Sequence, residues 1–164
     1  MADKLPLQVN VYLHQHKFEL ASSTLETALL ATVNRLQLLM NQLVGLELAA
    51  GNSTNAQIIA EKWTELAKLF ELWEYSCYAS QFQIAAKEKN SQKALPLLQG
   101  MMRSLKQPWS PQNTILFRSI DWNHNDTQSN HLMTIFRDQL EHDPEFAFLR
   151  NDKAFAALLD ELRT

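Results

Sequence analysis

The sequence predicts an all-α protein made of antiparallel helical hairpins, arranged as a bundle or as a short right-handed solenoid. Apolar residues recur at alternating spacings of three and four over long stretches, which is the period of an amphipathic helix. No stretch shows the credible apolar and polar alternation of a strand. Only 3 Gly and 5 Pro interrupt the 164 residues, so most of the chain is free to be helical. No constant period aligns one hairpin on another, so any repeat is degenerate.

Length, charge and cysteine usage limit the classes of protein to consider. A chain of 164 residues fits one core, so we expect a single domain over 1–164. The net charge is −3 and the basic residues are scattered, so we expect no direct nucleic-acid binding. Cys77 is the one cysteine, which excludes an internal disulfide. The start of the sequence lacks the apolar core of a signal peptide, and the least charged region is too short for a bilayer. We therefore expect a cytoplasmic protein without membrane contact.

A long αα-hairpin is predicted over 22–88, after a first amphipathic helical segment near 7–20. Ser23 to Glu26 has the form of a capping box, and the Gly51 to Asn55 stretch supplies a stop. Thr54 to Gln57 is a second capping-box candidate. Two apolar stripes with seven-residue repeats indicate the two helices, the first being Leu29, Val33, Leu36, Met40 and Leu43 and the second Ile59, Trp63, Leu66, Phe70, Trp73 and Cys77. A short loop between two such helices predicts antiparallel packing.

Further helices are predicted over 90–142. Asn90 and Ser91 open one of them, and Pro96 inside it predicts a kink or a late start. Ser110 as N-cap and Pro111 at N1 predict a short helix that reaches Ile120. The polar residues 123–130 are expected to form a loop. One more helix follows it, with apolar positions at Leu132, Ile135, Phe136 and Leu140.

A terminal pair of short helices is predicted over 143–163. Asp143 can cap the first helix and Pro144 suits its N1 position, while Asn151 or Asp152 caps the second. Phe146 and Leu149 form one apolar face, and the next helix repeats it with Phe155, Leu158 and Leu159. We expect this pair to cover the open end of the preceding helices.

The terminal stretch 143–159 resembles the closing segment of tetratricopeptide-repeat proteins, which have an Asp-Pro, a Phe, a Leu-Arg, a second cap and a Phe with paired leucines at similar offsets. Blocks at 72–82, 93–98, 108–109 and 117–120 look like helical domains attached to bacterial helix-turn-helix regulators. The resemblance implies ligand or peptide sensing, or dimerisation. No helix-turn-helix unit with basic recognition residues precedes Ser23, so DNA binding is not carried over.

No residue pattern indicates catalysis, a metal or a cofactor. His14 and His16 would point about 200° apart on a helix, so they cannot share a ligand unless the segment is extended. Cys77 lies on an apolar stripe and is expected to be a packed thiol. His124, Asp126 and His131 could support an alternative reading, an uncharacterised enzyme or a metal-binding protein that uses residues 123–131.

A partner surface is the main functional hypothesis, for a protein, peptide or small ligand in a regulatory setting that could involve transcription. Aromatic residues off the apolar stripe are common anchors at such surfaces, although core packing is the favoured reading. The candidate residues are Tyr75, Tyr78, Phe82, Arg118 and Trp122. Between Leu20 and Ala60 the only charges are Glu26, Arg35 and Glu47, so the first long helix is expected to be covered on more than one side. A homodimer, or a structural dimerisation module, is therefore a further alternative.

Overall fold

A computed structural model describes residues 4–107, 109–121 and 126–161; for residues 126–132 it describes the backbone only. The described residues form α-helices and two short 3-10 helices, without a strand among them, so the all-α prediction is confirmed. Both the bundle and the solenoid are compatible with these elements, and the choice between them stays a prediction. The α-helices are α1 Leu5–His14, α2 Phe18–Ala49, α3 Ser53–Leu69, α4 Tyr75–Lys87, α5 Ser91–Lys106, α6 Asp126–His142 and α7 Lys153–Glu161. The 3-10 helices span Pro111–Asn113 and Pro144–Leu149.

The described chain divides into two compact units. The first unit contains residues 4–39 and 109–121, and the second contains 40–107 and 126–161. The expectation of a single domain over 1–164 stays a prediction. None of the helices in the described ranges is long and apolar enough to cross a membrane.

A buried carboxylate organises the first unit. Glu26 is 8% exposed, and its carboxylate accepts a hydrogen bond from Ser22 Oγ at 2.8 Å and another from the backbone N–H of Ser119 at 2.6 Å. The predicted capping box at Ser23 is therefore wrong, because α2 already begins at Phe18 and Glu26 binds a distant segment instead of the helix start.

The segment after Pro111 also differs from its prediction. The 3-10 helix ends at Asn113, where an α-helix was predicted to reach Ile120. Thr114 is extended, and its hydroxyl and N–H both bond to the carbonyl oxygen of Pro111 at 3.0 Å. A threonine hydroxyl that binds nearby backbone competes with helix propagation. Ser110 makes no N-cap bond, because its hydroxyl bonds to the side chain of Gln112 instead.

Four helices end in the same backbone motif. In this motif the residue two positions past the helix end has a positive φ, and two N–H groups bond back to carbonyls of the last turn. At the end of α2 this residue is Gly51, with φ of 80°, which confirms the predicted stop. At the ends of α1, α3 and α4 the residue is His16, Glu71 or Lys89, with φ between 51° and 55°. Three of the four stops therefore use a residue other than glycine.

The stop at Glu71 corrects the predicted hairpin of 22–88. The second long helix is two helices, α3 and α4, separated by residues 70–74. The predicted capping box at Thr54 is also wrong, because α3 begins at Ser53 and Asn52 makes no side-chain cap bond. On α2, Val33 of the predicted stripe is buried, whereas Leu36 and Leu43 are exposed. The helix itself was predicted correctly, but its buried face is displaced.

The second unit has its main core between α4, α5, α6 and the terminal elements. This core contains Phe82, Ala85, Ala94, Leu98, Met101, Met102, Leu140, Leu149, Phe155 and Leu158. Asn90 caps α5 as predicted, since its side chain accepts from the N–H of Lys93 at 3.1 Å. The helix begins at Ser91, so a late start caused by Pro96 is excluded, whereas a kink stays a prediction.

Helix α6 begins earlier than predicted. Asp126 is its first residue, so 126–130 are helical and were wrongly expected to be loop; 123–125 lie outside the described residues. Asp, Ser and Asn favour the first turn of a helix as well as loops, so composition did not decide between the two.

The terminal stretch contains a 3-10 helix, Pro144–Leu149, followed by α7. Asp143 caps the first element by accepting from the N–H of Glu145 at 2.9 Å, and this element is a 3-10 helix. Asp152 accepts from the N–H of Ala154 at 2.8 Å beside the start of α7. Leu149 and Phe155 are fully buried, so the pair forms part of the main core.

Candidate partner-binding groove

A groove of about 720 Å³ crosses α3, α4 and α5 in the second unit. Helix α3 contributes residues of its first turns, which share one face because they are spaced by three and four positions. Helix α4 contributes its last turns and α5 its first turns, because the two helices are connected by only three residues. The side chains that define the groove are Gln57, Ile58, Glu61, Ile84, Lys93 and Leu97.

The groove combines a buried apolar residue with an exposed apolar edge. Ile84 is 3% exposed and belongs to a small core cluster with Val44, Leu48 and residues of α3. Ile58, by contrast, is 45% exposed although it lines the groove. A concave surface with exposed apolar residues and a few polar groups is typical of a binding site.

Two carboxylates and one ammonium group supply the charges of the groove. Glu61 accepts a hydrogen bond from Gln57 Nε2 at 2.9 Å, and Lys93 Nζ lies 3.6 Å from the carboxylate of Glu88. Within the described part of the chain, no lysine or arginine forms an ion pair with Glu61. The groove therefore offers a partner one carboxylate that lacks a cation.

Hydrogen bonds between α3 and α4 fix the walls of the groove. Trp63 is fully buried, and its indole Nε1–H donates to the carbonyl oxygen of Ser76 at 2.8 Å. Thr64 Oγ1 lies 3.0 Å from the carbonyl oxygen of Ala60 and 3.2 Å from that of Cys77, so its proton is shared between the two acceptors, and it accepts from Gln81 Nε2 at 3.2 Å. Gln81 also lines the groove, so the interhelix contacts and the groove share a side chain.

Two of the predicted partner residues pack in or against the core of the second unit. Phe82 is 5% exposed and stacks on Phe146 with ring centroids 5.6 Å apart. Tyr75 packs against Trp73 at 5.3 Å and edge-on to Phe136 at 6.4 Å. Burial raises the pKa of the Tyr75 phenol. For these two residues the core reading agrees with the observed packing.

Tyr78 is half-buried and lies against α5. A Cβ atom at Gly100 would lie 2.7 Å from Cζ of the Tyr78 ring, so glycine is what allows this close approach. The Tyr78 hydroxyl donates to the carboxylate of Glu74 at 2.6 Å, and this bond is the largest cause that raises the pKa of Tyr78. Tyr78 does not line the groove.

One of the two remaining predicted residues belongs to the first unit. Arg118 is exposed in the first unit, and Trp122 lies outside the described residues. The five predicted residues therefore stay a prediction as a partner surface. Ile58, which lies beside Ile59 of the predicted stripe, was not among the predicted residues. An isoleucine next to the core face of a charged helix was the available signal.

The histidines near the start of the chain are exposed, whereas the single cysteine is buried. His14 ends α1 and His16 lies in the turn after it, and both are exposed. Cys77 is buried as expected, and burial raises the pKa of its thiol. His124 and the side chains of Asp126 and His131 lie outside what the structure describes. In the described part of the chain, no three His, Cys, Asp or Glu residues are placed to hold a metal ion.

Comparisons with family models, curated proteins and solved structures find no match to this chain, so the resemblances to tetratricopeptide repeats and to regulator-associated helical domains stay predictions.

Proposed function

We propose that this chain is a non-catalytic interaction domain that binds a peptide segment of a protein partner in the groove between α3, α4 and α5. The observation that carries the proposal is the groove of about 720 Å³ with Ile58 on its edge, 45% exposed to water. A cytoplasmic location and a link to transcriptional regulation belong to the proposal too. Those two parts depend on composition and on the resemblance described above.

The chemistry of the groove favours a peptide with an apolar side chain and a nearby basic group. An apolar side chain that packs on Ile58 and Leu97 would remove exposed apolar surface from water. A lysine or arginine of the peptide would form an ion pair with the carboxylate of Glu61, which has no ion-pair partner among the described residues. Pro96, at the same surface, has no N–H to satisfy.

Selection from a random displayed-peptide library tests the proposal. The immobilised targets are the unchanged protein, Ile58→Asp and the matched control Leu69→Asp. Leu69 is on the same helix and is 73% exposed, but it does not line the groove. We expect the unchanged protein and Leu69→Asp to enrich the same peptides, with an apolar residue near a basic one, and Ile58→Asp to lose them.

Two results of this selection would contradict the proposed site. Failure to enrich any peptide on the unchanged protein, or retention of the same peptides by Ile58→Asp, would contradict the proposed site. Peptides lost from both variants would show that an added charge on α3, at either place, prevents binding. Far-ultraviolet circular dichroism of each variant confirms that the helices are retained.

A further inference from the structure

Helix α2 carries a stripe of exposed leucines that we call the leucine seam. It consists of Leu25, Leu36, Leu39, Leu43 and Leu46, whose exposed fractions are 48%, 37%, 48%, 44% and 63%. Isolated exposed leucines are ordinary, but these five lie on one side of a single helix. The seam is therefore a candidate contact surface.

The seam is separate from the side of α2 that packs in the protein interior. The buried stripe contains Leu30, Val33, Val44 and Leu48. With about 3.6 residues per turn, this stripe lies roughly a third of the way around the helix from the seam. Helix α2 thus has two apolar faces, one buried and one exposed.

The seam has the spacing of a coiled coil. Positions 25, 32, 39 and 46 are seven residues apart and carry leucine except for Thr32. Positions 29, 36 and 43 form a second series of leucines, displaced by four residues from the first. These are the a and d positions of three heptads, over a length of about 32 Å at 1.5 Å per residue.

We propose that the leucine seam pairs with the seam of a second copy of this chain. A seam of a and d leucines is complementary to itself, because such side chains interdigitate across a two-fold axis. Charge does not oppose the pairing, because α2 carries few charged residues. Its one basic residue is Arg35, its acids are Glu19, Glu26 and Glu47, and Glu26 is buried. A nucleic acid or an anionic membrane would require several cations beside the leucines.

The available area is sufficient for a dimer. At the observed exposures, the five leucines leave on the order of 400 Å² of apolar surface in water per copy, which is within the size range of the functional patches of monomeric proteins. Pairing two copies removes about twice that area, and Thr32 and Gln42 beside the seam bring the total to roughly 1,000 Å², the lower bound of a specific interface. The length and the area of the seam therefore both match a two-helix contact.

The test is the mass of the full chain in solution, measured by sedimentation equilibrium at concentrations up to ~100 µM, because dimers dissociate on dilution. The variants are Leu39→Glu, in the seam, and Leu38→Glu, its neighbour on the same helix. Leu38 is more exposed, at 57%, but lies outside the seam. We expect twice the chain mass of 18.9 kDa for the unchanged protein and for Leu38→Glu, and the single mass for Leu39→Glu.

Every other result overturns the inference. A monomeric unchanged protein removes the second copy as the occupant and leaves a different partner for the seam. A dimer that survives Leu39→Glu shows that the contact lies elsewhere, and a dimer that both variants disrupt shows no dependence on the seam. If Leu39→Glu loses helicity, Leu39→Ala replaces it, and at least a tenfold weaker dimer is then expected.

Discussion

Replacing Trp63 with Phe removes the indole N–H that joins α3 to the start of α4. The bond to the carbonyl oxygen of Ser76 is 2.8 Å long, and Trp63 is 1% exposed, so water cannot replace the donor easily. A lost hydrogen bond of this kind costs about 1 kcal/mol. The missing second ring leaves a space of roughly 40 Å³, which at ~24 cal/mol per Å³ adds about 1 kcal/mol. We expect Trp63→Phe to lower the free energy of unfolding by about 2 kcal/mol.

Trp73→Phe is the matched control. Trp73 Nε1–H donates to the carbonyl oxygen of Ser104 at 2.9 Å, a similar bond, but Trp73 is only half-buried. Water can reach the vacated position, so the loss should be about 1 kcal/mol or less. Urea unfolding followed by circular dichroism at 222 nm suits both variants, because tryptophan fluorescence changes with each substitution. If Trp63→Phe lowers the free energy of unfolding by no more than Trp73→Phe does, burial does not determine how much the indole hydrogen bond stabilises the fold.

Three further predictions concern other parts of the chain. Glu26→Ala should lower the free energy of unfolding, measured in urea, by about 2 kcal/mol, because the Ser119 N–H loses its acceptor. An effect no larger than that of the control Glu47→Ala would contradict this. Removal of the residues from Asp143 onward deletes the buried core side chains Leu149, Phe155 and Leu158, each of which contributes about 2–5 kcal/mol. Their sum is similar to the whole stability of a typical domain, so the second unit should lose its cooperative unfolding transition. A normal melting transition would show that the terminal pair is dispensable. Cys77 should react with a thiol reagent at pH 8 at least ~10 times more slowly in the native protein than in urea, since burial raises its pKa; equal rates would refute a packed thiol.

A pH prediction follows from Tyr75, whose pKa in the folded protein is raised by burial. In the unfolded chain the phenol loses its proton near pH 10, so above that pH the native state binds more protons than the unfolded state. Stability from this group is therefore complete below about pH 10 and is lost as the pH rises further. Tyr75→Phe should reduce that decline in a urea titration between pH 9 and 11, and an unchanged decline would exclude Tyr75 as its source.

The sequence predicted helices well and predicted their ends poorly, for a physical reason. The stop at Gly51 was visible because glycine adopts positive φ without strain. The stops at His16, Glu71 and Lys89 use the same backbone motif with residues that give no such signal. A capping box was expected at Ser23, but long-range bonding of Glu26 to Ser119 decided the role of that segment. Local pattern carries no information about a partner 93 residues away.

The candidate groove was less predictable than the core. Sequence patterns placed Phe82 and Tyr75 among aromatic residues; the structure buries Phe82 in the core and packs Tyr75, partly buried, against it. The groove arises where α3, α4 and α5 meet, so it depends on the reversals at 70–74 and 88–90. Because the sequence stripe continued through Glu71 as though one helix were present, the surface created by folding back could not be foreseen.

The left-handed residue Glu71 also bears on how the chain reaches its native state. A non-glycine residue in this conformation costs about 1 kcal/mol locally, and the apolar stripe on either side would suit a continuous helix. The free-energy cost of this conformation is offset only when α4 packs back on α3 and the hydrogen bonds of Trp63 and Thr64 form. The turn is therefore stable only once that packing forms, and a nascent chain that lacks α4 gains nothing from the reversal. Glu71→Gly should accelerate refolding, because it removes the local obstacle to reversal before the stabilising contacts exist.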